Sequence, residues 1–211
     1  PYKGGRFDAL PEAGKDIHVS LDAALQAYGE KLMENKLGSV VAIEPGSGEI
    51  LSLVSSPSYN PNLLVGRQRG ENFTALSQDS LNPLFNRALM AMYPPGSIFK
   101  LVNALIGLEV GAISPQSRYA CRYGYNVGSF HLGCHHNEVM KLRRAIQLSC
   151  NAYFCNVFRH TIDHRQFEDV REGYSTWRDY VLEFGLGRKI ETDLRNQLKG
   201  ILPSADYFDR F

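Results

Sequence analysis

Two β-rich runs, residues 39–44 and 49–55, flank the turn "PGSGE", and the chain beyond them reads mostly as helix. That order constrains the fold more than any other feature. A lone two-stranded hairpin is marginal in water, so this sheet needs more strands, and none is evident after residue 170. The pattern predicts an α+β fold in a chain that stops before its sheet is complete. Before the hairpin, residues 1–17 read as an extended opening segment. In "SLDAALQAYGEKLMEN", Leu21, Ala24, Leu25, Tyr28 and Leu32 recur at helical spacing behind Ser20 as N-cap. Residues 57–83 read as a long loop with at most short helices. "SIFKLVNALIGLEVG" predicts a helix stopped near Gly111, and residues 114–137 read as irregular. "EVMKLRRAIQLS" and "NAYFCNVFRHTID" predict a helix pair broken around Ser149. "STWRDYVLEFGLG" predicts another amphipathic helix, and the tail ends without a closing element.

Hydrophobic residues make up 44% of the 211 and charged residues 21%, enough apolar surface for a real core. Net charge is +1 with the signs interspersed, which provides neither a basic stripe for nucleic acid nor an acidic tail. No apolar run approaches the roughly 18 residues of a membrane span. The chain opens on Pro1 without a signal-peptide pattern, so anchors and signals of a parent protein are expected outside it.

Chemistry first surfaces in "MYPPGSIFKLVNAL". Positions i and i+3 of a helix share a face, so Ser97 and Lys100 can meet. A serine hydroxyl is a weak nucleophile until a base takes its proton, and an exposed lysine stays charged. Burial and the positive end of a helix dipole both disfavour the ammonium. In the first turn, among Ile98, Phe99 and Leu101, Lys100 could be neutral enough to accept that proton. The bland alternative is a capping serine and a wet lysine, since Ser-x-x-Lys is a common chance pattern.

Further on, "AIQLSCNAYF" sets Ser149-Cys150-Asn151 at a helix break. Ser-x-x-Lys followed by Ser-x-Asn is the pairing found in penicillin-binding proteins and class A β-lactamases. "SVVAIEPGSGEILSLVSSPSYNPN", "NRALMAMYPPGSIFKLVNAL", "AIQLSCNAYFCNVF", "FGLG", "ETDL" and "GILPS" occur in that order. Together they resemble the transpeptidase domain of a class B penicillin-binding protein, most closely the elongation, rod-shape type. The resemblance implies a β-lactamase/transpeptidase-like fold over residues 18–211, incomplete, with the helical half and the N-terminal hairpin of the sheet. It implies Ser97 as the nucleophile attacking the carbonyl before the last D-alanine of a peptidoglycan stem peptide, and Lys100 as its general base. Ser149 would relay a proton towards the leaving amine, and Asn151 would hold Lys100 and the substrate amide. The Ser97 backbone N–H would form half of an oxyanion hole. β-Lactams would acylate Ser97. No organic cofactor is implied. Wall-building partners, a glycosyltransferase among them, would be reached through a membrane-anchored parent, with this domain on the periplasmic or extracytoplasmic side.

Two departures stand out. No Lys-Thr-Gly or Lys-Ser-Gly occurs in the 211 residues, and "DLRNQL" lies where relatives carry Pro and Glu. Without the third motif, this stretch alone is expected to be inactive or poorly active. A non-catalytic binding module of the same fold and a serine β-lactamase or β-lactam sensor are the rival readings.

The four cysteines and several histidines form a second theme. Cys121, His131, Cys134, His135 and His136 are close in sequence, and Cys150 sits inside the Ser149–Asn151 motif. Thiolate and imidazole are the usual tetrahedral zinc ligands, so Cys121, Cys134, His136 (or His135) and Cys150 could hold a structural zinc. A Cys121–Cys134 disulfide is the alternative, closing a loop for which chain entropy gives about 3 kcal/mol. Small buried thiols are a third reading, and Cys155 is expected in the core. His160 and His164 read as a solvated pair.

Overall fold

The computed structural model describes Gly4 and residues 13–210. Most of the opening segment assigned to 1–17 thus lies outside the described residues; 13–17 form neither helix nor strand. The chain divides into two compact units, Pro1–Ala91 and Met92–Phe211.

The first unit contains α1 (Ala23–Leu32), β1 (Gly38–Ile43), β2 (Ile50–Ser56), α2 (Arg69–Gln78) and α3 (Arg87–Met90). β1 and β2 form the expected hairpin, antiparallel, pairing Gly38 with Ser56 and Ala42 with Ser52. α1 is capped by Asp22, whose Oδ1 accepts from Leu25 N at 2.8 Å. Ser20 is not the cap: its hydroxyl donates to the Ile50 carbonyl at 2.9 Å. α1 also closes one edge of β2. Gln26 Oε1 accepts from Leu53 N at 2.8 Å and its Nε2 donates to Leu53 O at 3.2 Å, as a neighbouring strand would. Among the described residues no strand pairs with the outer edge of β1. The stretch read as a loop holds α2, a full helix.

In the second unit a 3-10 turn, Gly96–Ile98, leads into α4 (Phe99–Glu109). Then come β3 (Arg118–Val127), β4 (Phe130–Lys141), α5 (Leu142–Gln147), α6 (Asn151–Ile162), α7 (Val170–Glu183) and the short α8 (Ala205–Phe208). β3 and β4 correct the irregular reading of 114–137, and β4 also takes the start of "EVMKLRRAIQLS" from the predicted helix. Val127 pairs with Phe130 across a two-residue turn, and Gly128 there has φ +56°, the conformation such a turn assigns to glycine. The pairing slips between Arg122 and Gly124, and Tyr123 is left-handed at φ +59°. That bulge breaks the alternation by which strands are recognised in sequence.

α6 is the spine of this unit. Tyr153, Val157 and Thr161, four residues apart, are all buried, and the Thr161 hydroxyl is satisfied by the Val157 carbonyl at 2.8 Å. β3 and β4 pack on one side of this helix, and α4 and α7 on the other sides. Trp177 of α7 meets Phe99 and Phe158 edge-on and donates from Nε1 to Asn103 Oδ1 at 2.9 Å, which locks α4 in place. His160 and His164 are not alike: His160 stacks on Tyr119 at 5.2 Å, while His164 follows the end of α6 with a buried Nδ1. α8 supplies the closing element missing from the sequence reading, with Asp206 and Asp209 paired to Arg171.

Candidate active site

The turn after Pro94-Pro95-Gly96 leaves Ser97 exposed at the mouth of α4, with Lys100 half-buried one turn on. Lys100 Nζ lies 3.1 Å from Ser97 Oγ. Three more oxygens surround it: Ser149 O at 2.7 Å, Ser149 Oγ at 3.0 Å and Asn151 Oδ1 at 2.6 Å. All four residues singled out in the sequence thus converge on one amine.

The break between α5 and α6 is what aims them. Ser149 N donates to Ile146 O and Cys150 N to Ala145 O, both at 3.0 Å. This is the Schellman pattern, with Ser149 left-handed at φ +51° in the place glycine normally takes. The turn points both the carbonyl and the hydroxyl of Ser149 at Lys100. Cys150 then caps α6 and delivers Asn151 to its first turn.

An ammonium has three N–H donors; a neutral amine has two and a lone pair. The cage offers four neutral oxygens, and among the described residues no ion pair includes Lys100. Burial lowers the Lys100 pKa, partly offset by the nearby thiols of Cys134, Cys150 and Cys155. The Phe154 ring, 6.0 Å away, also favours the charged form, though weakly at that distance. A neutral amine can donate to Asn151 Oδ1 and Ser149 O and keep its lone pair for the Ser97 hydroxyl. Ser97, Lys100, Ser149 and Phe154 line a cavity of about 220 Å³ with Ile98, Leu101 and Ile146. A larger cavity, about 380 Å³ between α6, α7 and α8, is lined mostly by apolar side chains, with Tyr174 and the paired Arg171 and Asp209 its polar members.

Behind Asn151 the thiols meet. Sγ of Cys121, Cys134 and Cys150 and a ring nitrogen of His136 lie within 4.8 Å of one another. Strand alternation decides between the two histidines: His136 shares a face of β4 with Cys134, and His135 is exposed on the other. Cys134 Sγ is 3.9 Å from Cys150 Sγ and 3.1 Å from His136 Nδ1. Around a tetrahedral zinc with bonds of ~2.3 Å, sulfurs sit about 3.8 Å apart, so the donor set fits the ion. Burial raises the Cys134 thiol's pKa, but hydrogen bonds from the Asn151 backbone, His136, Cys121 and the Ala152 backbone outweigh it and bring the thiol down to about 6. Burial pushes Cys150 up to about 12. All four cysteines are free thiols; Cys155 is only partly buried and stands outside the cluster. Sequence reasoning missed the Gly133 carbonyl, which accepts from Asn151 Nδ2 at 2.9 Å. A backbone group leaves no mark in sequence.

The family model for the penicillin-binding protein transpeptidase domain matches residues 38–210. The chain belongs to this family. It is 32% identical to the peptidoglycan D,D-transpeptidase MrdA of Acinetobacter baumannii, over 96% of this chain and 29% of that protein. The structure of Pseudomonas aeruginosa PBP2 superposes with a TM-score of 0.80 at 30% identity, covering 93% of this chain and 43% of that one. Helicobacter pylori PBP2 superposes with a TM-score of 0.81 at 29% identity, over 96% and 37%. The expected fold is therefore the one present, and the relatives are of the elongation type. The chain spans about a third or less of the curated MrdA relatives it matches.

Proposed function

We propose that the chain carries the acylation machinery of a peptidoglycan D,D-transpeptidase. In this reading Lys100 Nζ takes the Ser97 proton as Oγ attacks the carbonyl carbon before the terminal D-alanine. The leaving D-alanine amine receives a proton by way of Ser149, and an acyl ester remains on Ser97. The amine of a neighbouring stem peptide then attacks that ester, restoring the hydroxyl and closing the cross-link. A β-lactam follows the first half, its ring amide opening onto Oγ. The observation that carries this is the 3.1 Å contact of Lys100 Nζ with Ser97 Oγ inside a cage of neutral oxygens. Support also comes from relatives: penicillin-binding protein A of Mycobacterium tuberculosis has been solved as an imipenem acyl-enzyme, and H. pylori PBP2 as a complex with MreC. Stem peptides, β-lactams and elongation partners are thus the proposed partners, met on the extracytoplasmic side. No helix among the described residues is long and apolar enough to cross a membrane.

Labelling with a fluorescent penicillin tests the reading. Full-length protein should label covalently and Ser97→Ala should not. A folded protein that never labels would favour the binding module, and rapid release of the label would favour a β-lactamase.

We propose further that Cys121, Cys134, His136 and Cys150 hold a structural zinc. The ion would tie β3 and β4 to the first turn of α6 and keep three neighbouring thiols from oxidising. Protein purified without added metal should contain about one zinc per chain, and a chelator should lower its melting temperature. Negligible zinc together with a Cys121–Cys134 bridge in the mass spectrum would overturn the assignment.

A further inference from the structure

Asn151 is gripped from two sides, and only one of them belongs to the reacting groups. Its Oδ1 accepts from Lys100 Nζ at 2.6 Å, while its Nδ2 donates to the Gly133 carbonyl at 2.9 Å. A carboxamide has nearly the same shape either way round, so its partners decide which end faces the lysine. Turned over, Asn151 would aim N–H at the amine and leave carbonyl against carbonyl at Gly133.

The next residue of β4 is tied to the same helix end. The Cys134 sulfur lies 3.9 Å from that of Cys150, the cap of α6 and the residue before Asn151. Carbonyl and sulfur are neighbours along one strand and move together. β4 cannot draw away from α6 without parting the two sulfurs and releasing the Asn151 side chain.

We propose that the Gly133–Cys134 step of β4 is a positioning clamp for Asn151, fixing which end of its carboxamide meets Lys100 and so keeping the amine's lone pair on Ser97 Oγ. The clamp rests on the transpeptidase reading above. Gly133 acts through Asn151, and Cys134 by holding β4 against the cap of α6. With Oδ1 and Ser149 O as acceptors, both N–H bonds of the neutral amine are committed and the lone pair is left for the hydroxyl. With Oδ1 lost, the amine turns about its Cε–Nζ bond and offers Ser97 an N–H, which cannot take a proton.

Saturation kinetics of penicillin acylation on the full-length protein separate the non-covalent Kd from the acylation rate constant. Cys134→Ala removes the sulfur contact that holds β4 to the cap of α6, Cys134→Ser keeps a hydrogen-bonding group there, and His135→Ala removes an exposed side chain from the opposite face of the same strand. Cys134→Ala should lower the acylation rate constant roughly tenfold or more, as misplaced groups do, with Kd nearly unchanged. Cys134→Ser should recover most of the loss, and His135→Ala should stay near wild type. In protein labelled with ¹⁵N-asparagine, the Asn151 side-chain NH₂ should be protected from exchange in the wild type and His135→Ala, and exposed in Cys134→Ala. Equal losses in Cys134→Ala and His135→Ala, or none in Cys134→Ala, would overturn the clamp. Should wild-type protein fail to acylate, the transpeptidase reading falls, and the amide signal still decides whether the clamp exists.

Discussion

Ser149 occupies a backbone position that glycine fills more cheaply. A left-handed non-glycine residue costs about 1 kcal/mol, and the site keeps it because both oxygens of Ser149 face Lys100. Ser149→Gly should therefore leave the melting temperature unchanged or raise it, while slowing acylation at least tenfold; both can be read on one preparation. On the proposed transpeptidase reading, Lys100 carries the pH dependence. Its reactive form is the neutral amine, whose fraction grows as pH rises, and burial places its midpoint below the ordinary 10.5. Acylation should climb through that midpoint on the acid side. Lys100→Arg, which cannot lose its proton, should cut the rate by about 10²–10⁴ and flatten that limb. A limb that survives the substitution would assign the base elsewhere.

At the scale of elements, the site depends on how α6 is braced. α7 enters against the end of α6 so closely that a Cβ on Gly173 would lie 1.9 Å from the Ile162 carbonyl oxygen. Backbone cannot yield as a side chain can, so Gly173→Ala should destabilise the protein by about 3 kcal/mol, visible as a lower urea midpoint. The elements most legible in the sequence were those with an uninterrupted period: α4, α6, α7 and the β1–β2 hairpin. β3 and β4 were not, because the slip at Tyr123 and the exposed apolar residues along both strands blur the two-residue alternation. Their presence changes the meaning of the cysteines. Cys134 and His136 are two apart on a strand, so they share a face, and β3 brings Cys121 to it.

For the molecule as a whole, the edge of β1 that no described strand covers is the feature with the widest consequence. Val41 and Ile43 are exposed on that strand, 43% and 56% accessible, and an unpaired apolar edge invites self-association. The isolated 211-residue chain also contains no Lys-Thr-Gly, the family's third motif, from which the resemblance implies one oxyanion donor would come. It should acylate at least about a hundredfold more slowly than its full-length relatives, the typical worth of one such donor. Equal rates would show that the missing donor is supplied from within these residues.

The linear pattern alone put Ser97 and Lys100 on one face, because i, i+3 spacing on a helix is a local geometry, and it marked Ser149 and Asn151 through the motif they share with the family. It also determined the family, through motifs met in order. Which way the Asn151 carboxamide faces, which histidine joins the thiols, and that β4 stands behind the site were decided only by tertiary structure. Each depends on residues far apart in the chain brought within hydrogen-bond reach, and one of the partners is a backbone carbonyl that every residue carries.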